Sequence, residues 1–450
     1  MIRHVAIIGA GFSGTLQAIN LLRHDGPRAT LIERAPEPGK GLAYGAAYED
    51  HVLNVRAANM SALPDDPGHF VRWLAENGRG DSGASFVQRT TYGVYLRDQL
   101  DQAIASAGDR LRVVQGDVAD VTEVGEGARV TLASGETIDA DAAVLAVGNL
   151  PPHDPPGLRG KLSANCYKSD PWDRSVPLDL SDDDIVLLIG TGLTMVDIAL
   201  LLESSGFKGR IVALSRRGLL PHRHDAPGPT HARLDERPLE SPADLVRLVR
   251  QRGEAIGWRS AVDELRRYTQ AMWANASDAE KQRFLRHLRP WWDVHRHRLA
   301  PQVADRLTAM IERGQLEVVA GKTIAAEEGA DGVTVTWRRR GSDSPETLLV
   351  QRIVNCTGPQ GDLTRTTEPL LATLAARGVI RPDPAHLGLD VDGCTRTIAA
   401  DGTPNDWLYA LGPMTRGAFW EIVAVPDIRQ QTWNLARRLS NAQWVGGEGL

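Results

Sequence analysis

The chain contains one local pattern twice: a short apolar run, a glycine turn, a helical stretch and a second apolar run. The first copy begins at HVAIIGAGFSG and the second at DIVLLIGTGLT. A short apolar run that ends in glycine is typical of a buried parallel strand, and the apolar period that follows is typical of a helix. The repeat therefore predicts an α/β fold with two Rossmann-like (βαβ) dinucleotide-binding domains.

The first glycine turn has all three glycines of the G-x-G-x-x-G pattern. Gly9 allows the tight turn, Gly11 lets the backbone approach a pyrophosphate, and Gly14 lets the helix pack on the strand. Glu33 ends the next apolar run, nineteen residues after Gly14. A carboxylate at this spacing binds ribose hydroxyls, so this turn predicts a dinucleotide site that suits FAD.

The second copy differs from the first at the position that binds the ribose of the nucleotide. Arg216 and Arg217 stand where the first copy has its carboxylate. The planar, permanently charged guanidinium fits a 2′-phosphate, so this copy suits NADPH. An exposed basic turn without a ligand is the alternative. The residues predicted to bind the nucleotide here are Gly190, Gly192, Thr194, Ser215, Arg216 and Arg217.

Composition removes several other classes of protein. The 450 residues are 42% hydrophobic and 24% charged, as in a globular protein, and the net charge of −6 argues against a general nucleic-acid-binding surface. No apolar run approaches the roughly 20 residues of a membrane helix, and the chain opens on a strand, so we expect no membrane partner and a cytoplasmic location. The three cysteines have no C-x-x-C spacing, and we predict no metal site.

Several segments together resemble a known family. They are GAGFSG, GKGLAYG, HVLNVRAANMSALPDDP, GTGLTMVD, SRRGLLPH and WEIVAVPDIRQQ. The chain resembles, over nearly its whole length, the two-dinucleotide-binding flavoproteins of the FAD/NAD(P)-binding family related to class B flavin monooxygenases. The resemblance implies that FAD binds at the first glycine turn and NADPH at the second.

The resemblance also implies a set of FAD contacts. Asn54 would lie near the flavin as the catalytic residue, donating a hydrogen bond to its oxygen adduct. An asparagine that caps a loop is the alternative. Three glycines that follow apolar runs, Gly148, Gly358 and Gly412, would complete the cleft. The remaining predicted contacts are Gly9, Gly11, Phe12, Ser13, Gly14, Glu33, Arg34, Gly41, Leu42, Ala43, Leu53, Met60 and Val118.

Glycine turns, a proline-rich linker and an Arg-, Leu- and Trp-rich helical stretch divide the chain. We predict a first part of the FAD-binding domain at 1–150, a linker at 151–183, an NADPH-binding unit at 184–240, an inserted helical subdomain at 241–314, return strands of both domains at 315–358, and the C-terminal part of the FAD-binding domain at 359–450.

The helical insert contains PWWDVHRHR, in which two tryptophans precede a cluster of histidines and arginines. Such a cluster could bind an anionic substrate beside the flavin. A helix with a tryptophan core face and a solvated basic face is the alternative. The candidate substrate residues are Trp292, His297, Arg298 and Trp420.

These features predict an NADPH-dependent FAD monooxygenase. It would use molecular oxygen to oxygenate nitrogen, sulfur or carbon of a small molecule through a C4a-(hydro)peroxyflavin. The Baeyer–Villiger fingerprint F-x-G-x-x-x-H-x-x-x-W is absent from the sequence. A flavoprotein reductase serving another acceptor and a non-catalytic flavin-binding redox sensor are the alternatives. The sequence identifies neither the substrate nor the oligomeric state.

Overall fold

The computed structural model describes residues 2–440, except His24, Arg159, Lys161 and the stretch 227–241, in which only Leu234 and Pro238 are described. Two sheets built around parallel strands organise this part of the chain, and a small antiparallel sheet accompanies the first. The described strands are β1 His4–Ile8, β2 Arg28–Glu33, β3 Leu111–Gln115, β4 Val118–Val124, β5 Gly127–Leu132, β6 Thr137–Ala140, β7 Ala142–Leu145, β8 Tyr167–Lys168, β9 Ile185–Ile189, β10 Arg210–Ser215, β11 Leu316–Gly329, β12 Gly332–Arg339, β13 Pro345–Val350, β14 Arg352–Asn355, β15 Arg396–Ile398 and β16 Pro404–Ala410.

Helices cover the sheets and form most of the segment between β10 and β11. A short π-type helix, Phe284–Leu288, joins two of them. The described α-helices are α1 Phe12–Arg23, α2 Gly41–Gly45, α3 His69–Glu76, α4 Arg89–Ala107, α5 Leu193–Ser204, α6 Pro242–Ile256, α7 Trp258–Glu264, α8 Thr269–Asn275, α9 Asp278–Arg283, α10 Arg289–Arg296, α11 Pro301–Glu312, α12 Pro369–Ala376 and α13 Val425–Leu439.

The first sheet joins the two ends of the chain. Its strand order is β15-β16-β7-β1-β2-β3, with all neighbours parallel except β15 and β16. Helix α13 packs against α1, and Leu435 and Leu439 share a core cluster with Leu21. The last strand and helix therefore complete the domain that the first glycine turn begins.

The second sheet repeats this arrangement. Its order is β13-β12-β11-β10-β9-β14-β8, and β9 lies between two parallel neighbours, β10 and β14, as β1 lies between β2 and β7. The strands β8, β9, β10, β11 and β14 run parallel, while β12 and β13 form an antiparallel extension. The prediction of an α/β fold with two Rossmann-like units is confirmed.

The described chain between β10 and β11, two neighbouring strands of the second sheet, contains the helices α6 to α11. Helix α11 shares a core cluster with α5, through Val303 and Leu307 among others, and so belongs by packing to the second sheet. The helices α6 to α10 precede it and form the insert. The domain limits drawn from the sequence stay predictions, and the one at 240/241 falls outside the described residues.

Candidate functional site

The two glycine turns have the same packing requirement. A Cβ added at Gly9 would overlap with the carbonyl oxygen of Ala146, and one added at Gly190 with that of Cys356. Ala146 and Cys356 each follow the neighbouring parallel strand, β7 or β14. Both glycines also have positive φ, at 99° and 120°. These first glycines are therefore required by the fold itself.

The later glycines of the turns have different environments. A Cβ at Gly14 would overlap with the carbonyl oxygen of Gly9, so this glycine lets α1 approach β1. A Cβ at Gly11 would meet only the Cα of Gly41, at an ordinary 3.6 Å, and one at Gly192 would meet nothing within 4 Å. Space therefore remains beside the N-terminus of α1 and of α5, where unpaired N–H groups favour a phosphate.

Glu33 is fixed at the end of β2, beside the first turn. One carboxylate oxygen accepts a hydrogen bond from the backbone N–H of Ala10 (2.7 Å), and the other from that of Ala35 (2.9 Å). The carboxylate is therefore held next to the glycine turn, as a ribose-binding acid requires. Arg34 points elsewhere, since it pairs with Glu368 at 2.8 Å and with Asp117 at 3.5 Å.

Two distant segments approach this first turn. Gly41 lies against Gly11, and the neighbouring Leu42 is 54% exposed, with Ala43 also exposed. On the other side, a Cβ on Gly412 would overlap with the hydroxyl of Ser13. The N–H of Gly412 donates to Gln431 of α13 (2.8 Å). The structure thus brings these predicted contacts together around one groove.

The other predicted FAD contacts fall into two groups. Leu53 and Met60 are buried in one core cluster with Phe12, and Val118 is buried in another. Asn54 is half-buried, and its backbone oxygen accepts a hydrogen bond from Nε2 of His224 (3.1 Å). Burial lowers the pKa of His224 to about 4, so its ring is neutral at neutral pH. Gly148 and Gly358, both with positive φ, follow β7 and β14.

The second glycine turn forms hydrogen bonds with the segment around Arg216 and Arg217, which directly follows β10. The Thr191 hydroxyl lies 2.8 Å from the Ser215 hydroxyl and 2.6 Å from the carbonyl oxygen of Leu219. Arg216 is exposed and Arg217 is half-buried, and neither side chain forms an ion pair or hydrogen bond with the described residues. Their charges are thus available to a ligand phosphate. Thr191, the middle residue of Gly-x-Gly, was not predicted from the sequence, because the glycine pattern gives it no role.

Three of the candidate substrate residues, Trp292, His297 and Trp420, lie at or next to Glu421, whereas Arg298 is paired with another residue. Trp292 donates its indole N–H to the buried Glu421 (2.8 Å), and His297 lies 4.0 Å from the same carboxylate. Trp420 stacks on Trp273, with 4.6 Å between ring centroids. Arg298 instead forms a two-point ion pair with Asp263 of α7, at 2.8 and 3.0 Å. Its guanidinium is therefore already paired.

A cavity of about 790 Å³ lies among the insert helices, and its wall includes Trp273, Trp291, Trp292, Phe284 and Trp420. Two charged residues near this region, Arg416 and Glu421, were not predicted. The only signal for Glu421 was its place in the quoted segment WEIVAVPDIRQQ.

Two further kinds of feature are absent from the described part of the chain. None of its helices combines the length and apolar character needed to cross a bilayer. No group of three or more His, Cys, Asp or Glu side chains in the same residues is placed to hold a metal ion.

Comparison with known proteins agrees with this geometry. Residues 6–150 match the family model described as FAD-NAD(P)-binding. An uncharacterised protein of Mycobacterium tuberculosis is 24% identical over 421 aligned positions, covering 82% of this chain and 76% of that protein. The L-aspartate N-monooxygenase (nitrosuccinate-forming) of Streptomyces davaonensis is 30% identical over 228 positions, covering 42% and 34%.

The whole chain has a fold found in solved structures. The ornithine N-hydroxylase of Kutzneria sp. 744, solved with reduced FAD, NADP+ and L-ornithine, superposes with a TM-score of 0.67. The match covers 98% of this chain and 99% of that one, at 16% identity. The resemblance to an FAD/NAD(P)-binding family is thus confirmed for residues 6–150, and the fold with two dinucleotide-binding units for the described part of the chain.

Proposed function

Because this chain has an FAD-NAD(P)-binding domain within the fold of the flavin-dependent N-hydroxylating monooxygenases, we propose that it is an NADPH-dependent FAD monooxygenase that oxygenates a nitrogen atom of a small molecule. The observation that carries the proposal is the pair of glycine turns with different ribose-reading residues. Glu33 is fixed beside the first turn, and two arginines without a partner among the described residues follow the second. This difference suits two cofactors in one chain.

The first turn would hold FAD. The N-terminus of α1 would face its pyrophosphate across Gly11, and Glu33 would accept hydrogen bonds from its ribose. Gly412 and Gly41 would border the same groove, since both lie against the first turn. Bound flavin would supply hydride acceptance from NADPH and the activation of oxygen.

The protein's own residues would position NADPH and exclude water. Arg216 and Arg217 would bind the 2′-phosphate of NADPH, and the N-terminus of α5 would face its pyrophosphate. Leu53 and Met60 form an apolar floor with Phe12, which favours the exclusion of water from a reactive centre. Asn54 would present its side-chain amide as a hydrogen-bond donor, while the contact from His224 holds its backbone.

The direct test follows the oxygen atom. The protein, reconstituted with FAD, is mixed with NADPH, ¹⁸O₂ and a panel of amino acids and diamines, and the products are analysed by mass spectrometry. We expect NADPH oxidation in proportion to a product that carries one ¹⁸O atom on nitrogen. Hydrogen peroxide release is measured in parallel, to count NADPH oxidation that is not coupled to product.

Other results would assign a different function. Rapid reduction of a quinone or ferricyanide by NADPH, with no labelled product from any amine, would identify a reductase. Failure of NADPH to reduce bound FAD would favour a redox sensor. Either result contradicts the monooxygenase proposal.

A further inference from the structure

A group of charged side chains lies where the helical insert meets the segment after Gly412. We call it the seam cluster and define it as Arg289, Asp293, Arg296 and His297, on or next to α10, together with Arg416 and Glu421. The insert is connected here to the FAD half, because Trp273 of α8 donates its indole N–H to the carbonyl oxygen of Gly417 (2.7 Å).

Arg416 has no partner in this cluster. Its side chain forms no ion pair with the described residues, and its Nε is shielded from solvent without a hydrogen-bond acceptor. The guanidinium lies over the ring of Trp420, 4.6 Å from the centroid. Burial, with a smaller contribution from Arg289, lowers its pKa to about 10, so it keeps its charge at neutral pH.

The charges of the seam cluster do not balance. Three arginines, Arg289, Arg296 and Arg416, face two carboxylates, Asp293 and Glu421. Burial lowers the pKa of His297, which leaves its ring neutral at neutral pH. The neighbouring pairs Arg266–Asp427 and Arg298–Asp263 are each balanced. The described residues therefore leave one half-buried positive charge without a counterion, which is costly unless an anion joins it.

The polar atoms around Arg416 are also incompletely bonded. Nε of Arg296 lies 3.2 Å from Oε2 of Glu421, but neither atom makes a hydrogen bond with the described residues, and none of those residues donates to Oδ1 of Asp293. Glu421 is fully buried and has a φ of 70°. Non-glycine residues with such a strained backbone occur more often at active sites and ligand-binding sites than elsewhere in a fold.

The position of Arg416 connects this charge to the flavin groove. It follows directly the short 3-10 helix Gly412–Thr415, whose first residue lies against Ser13 at the first glycine turn. A molecule seated on Arg416 would therefore lie between the insert and the groove. This is where a substrate needs an anchor if its reacting nitrogen is to reach the flavin.

We propose that Arg416 binds a carboxylate of the substrate at the seam cluster, so that the substrate class is a small amine that also carries a carboxylate, such as an amino acid. A carboxylate matches the guanidinium in charge and in its two-point geometry. The inference rests on the monooxygenase proposed above.

Binding is tested without turnover, on protein reconstituted with FAD. The probes are matched pairs: L-aspartate and L-asparagine, L-ornithine and putrescine, L-lysine and cadaverine. Binding is followed by tryptophan fluorescence and by the flavin difference spectrum. We expect at least one member with the extra carboxylate to bind tenfold or more tightly than its partner, as a charged hydrogen bond implies. Arg416→Met should abolish this difference, and Arg416→Lys should retain part of it.

A stability measurement separates an anion site from a structural ion pair. Without probe, Arg416→Met should unfold at the same temperature as the wild type or higher, because it removes an uncompensated half-buried charge. The probe carboxylate should raise the unfolding temperature of the wild type but not of the variant. The exposed Arg286 of the insert supplies the matched control: Arg286→Met should bind the probe like the wild type.

Three results would overturn the inference. One is equal binding of both members of every pair, and another is no binding by any probe. The third is that Arg416→Met lowers the unfolding temperature and that Asp235→Asn, Glu236→Gln or Glu240→Gln lowers it by the same amount. This result would mean that a carboxylate of the chain itself is the counterion of Arg416. All three are distinguishable from failure of the proposed function, which ¹⁸O incorporation and flavin reduction by NADPH report separately.

Discussion

At the scale of single residues, we propose that Arg216 and Arg217 set the preference of the chain for NADPH over NADH. Each charged hydrogen bond to a 2′-phosphate contributes about 1.5–3 kcal/mol. We therefore expect Arg216→Ala or Arg217→Ala to raise the KM for NADPH about tenfold or more and to leave the KM for NADH nearly unchanged. Steady-state kinetics with both cofactors measure this.

A matched control uses another exposed cation of the same half. Lys208, paired only loosely with Asp182 at 3.8 Å, can be replaced by alanine. That variant should keep the KM for NADPH. Equal losses for NADPH and NADH in the arginine variants would contradict the assignment of the 2′-phosphate site.

His224 gives the fold a dependence on pH. Burial lowers its pKa from 6.5 to about 4, so between these values the unfolded chain binds a proton that the folded chain does not. The contribution of this residue is therefore complete above pH 6.5 and is lost as the pH falls toward 4. We expect the decrease in unfolding free energy between pH 7 and pH 5 to be smaller in His224→Gln than in the wild type.

Urea denaturation at pH 7, 6 and 5 measures this difference. Other buried histidines, such as His51, contribute in the same direction and are common to both proteins. Parallel curves for the wild type and His224→Gln would show that His224 is not the group responsible.

At the scale of elements, two glycines of the first turn should respond oppositely to substitution. Gly14→Ala places a methyl group on the carbonyl oxygen of Gly9 and forces α1 away from β1. Overpacking of this kind costs about 1–3 kcal/mol or more. Gly11→Ala meets only an ordinary contact at 3.6 Å, so the fold should tolerate it, while the added methyl group occupies the space left for the pyrophosphate.

Thermal unfolding of the FAD-free protein and the FAD content after reconstitution together test this pair. Gly14→Ala should lower the unfolding temperature. Gly11→Ala should unfold near the wild-type temperature but bind FAD at least tenfold more weakly. Normal FAD binding by a well-folded Gly11→Ala variant would argue against the pyrophosphate site at this turn.

At the scale of the whole molecule, an ion pair connects helix α4, beside the first sheet, with helix α5, beside the second. Arg89 of α4 lies 2.9 Å from Asp197 of α5, and both side chains are largely buried. Nε2 of His51 also contacts the backbone oxygen of Asp197, at 3.1 Å. Removing one partner of a buried pair leaves an uncompensated charge and costs about 3–5 kcal/mol.

We therefore expect Asp197→Leu alone, and likewise Arg89→Met alone, to lower the unfolding free energy by about 3–5 kcal/mol. The double variant Arg89→Met/Asp197→Leu should lose much less, because no charge is left unpaired. Urea denaturation of the two single variants and the double variant completes the cycle. Additive losses would indicate that the pair does not couple the two halves.

The sequence by itself determined the elements whose signals are local. Each glycine turn, the strand before it and the helix after it lie within about twenty residues, so their periodicity and glycine spacing were readable without any long-range contact. The acid Glu33 and the two arginines could be found for the same reason. Glu33 ends β2, and the arginines directly follow β10, so each lies at the end of the strand after a glycine turn.

Only the tertiary structure decided which distant residues share a site. It placed Gly412 against Ser13, paired Arg298 with Asp263, and left Arg416 without a counterion among the described residues. These outcomes depend on how the insert and the C-terminal segment pack together. The partners of a side chain depend on burial and on charges that can lie far away in the sequence, and local periodicity does not identify them.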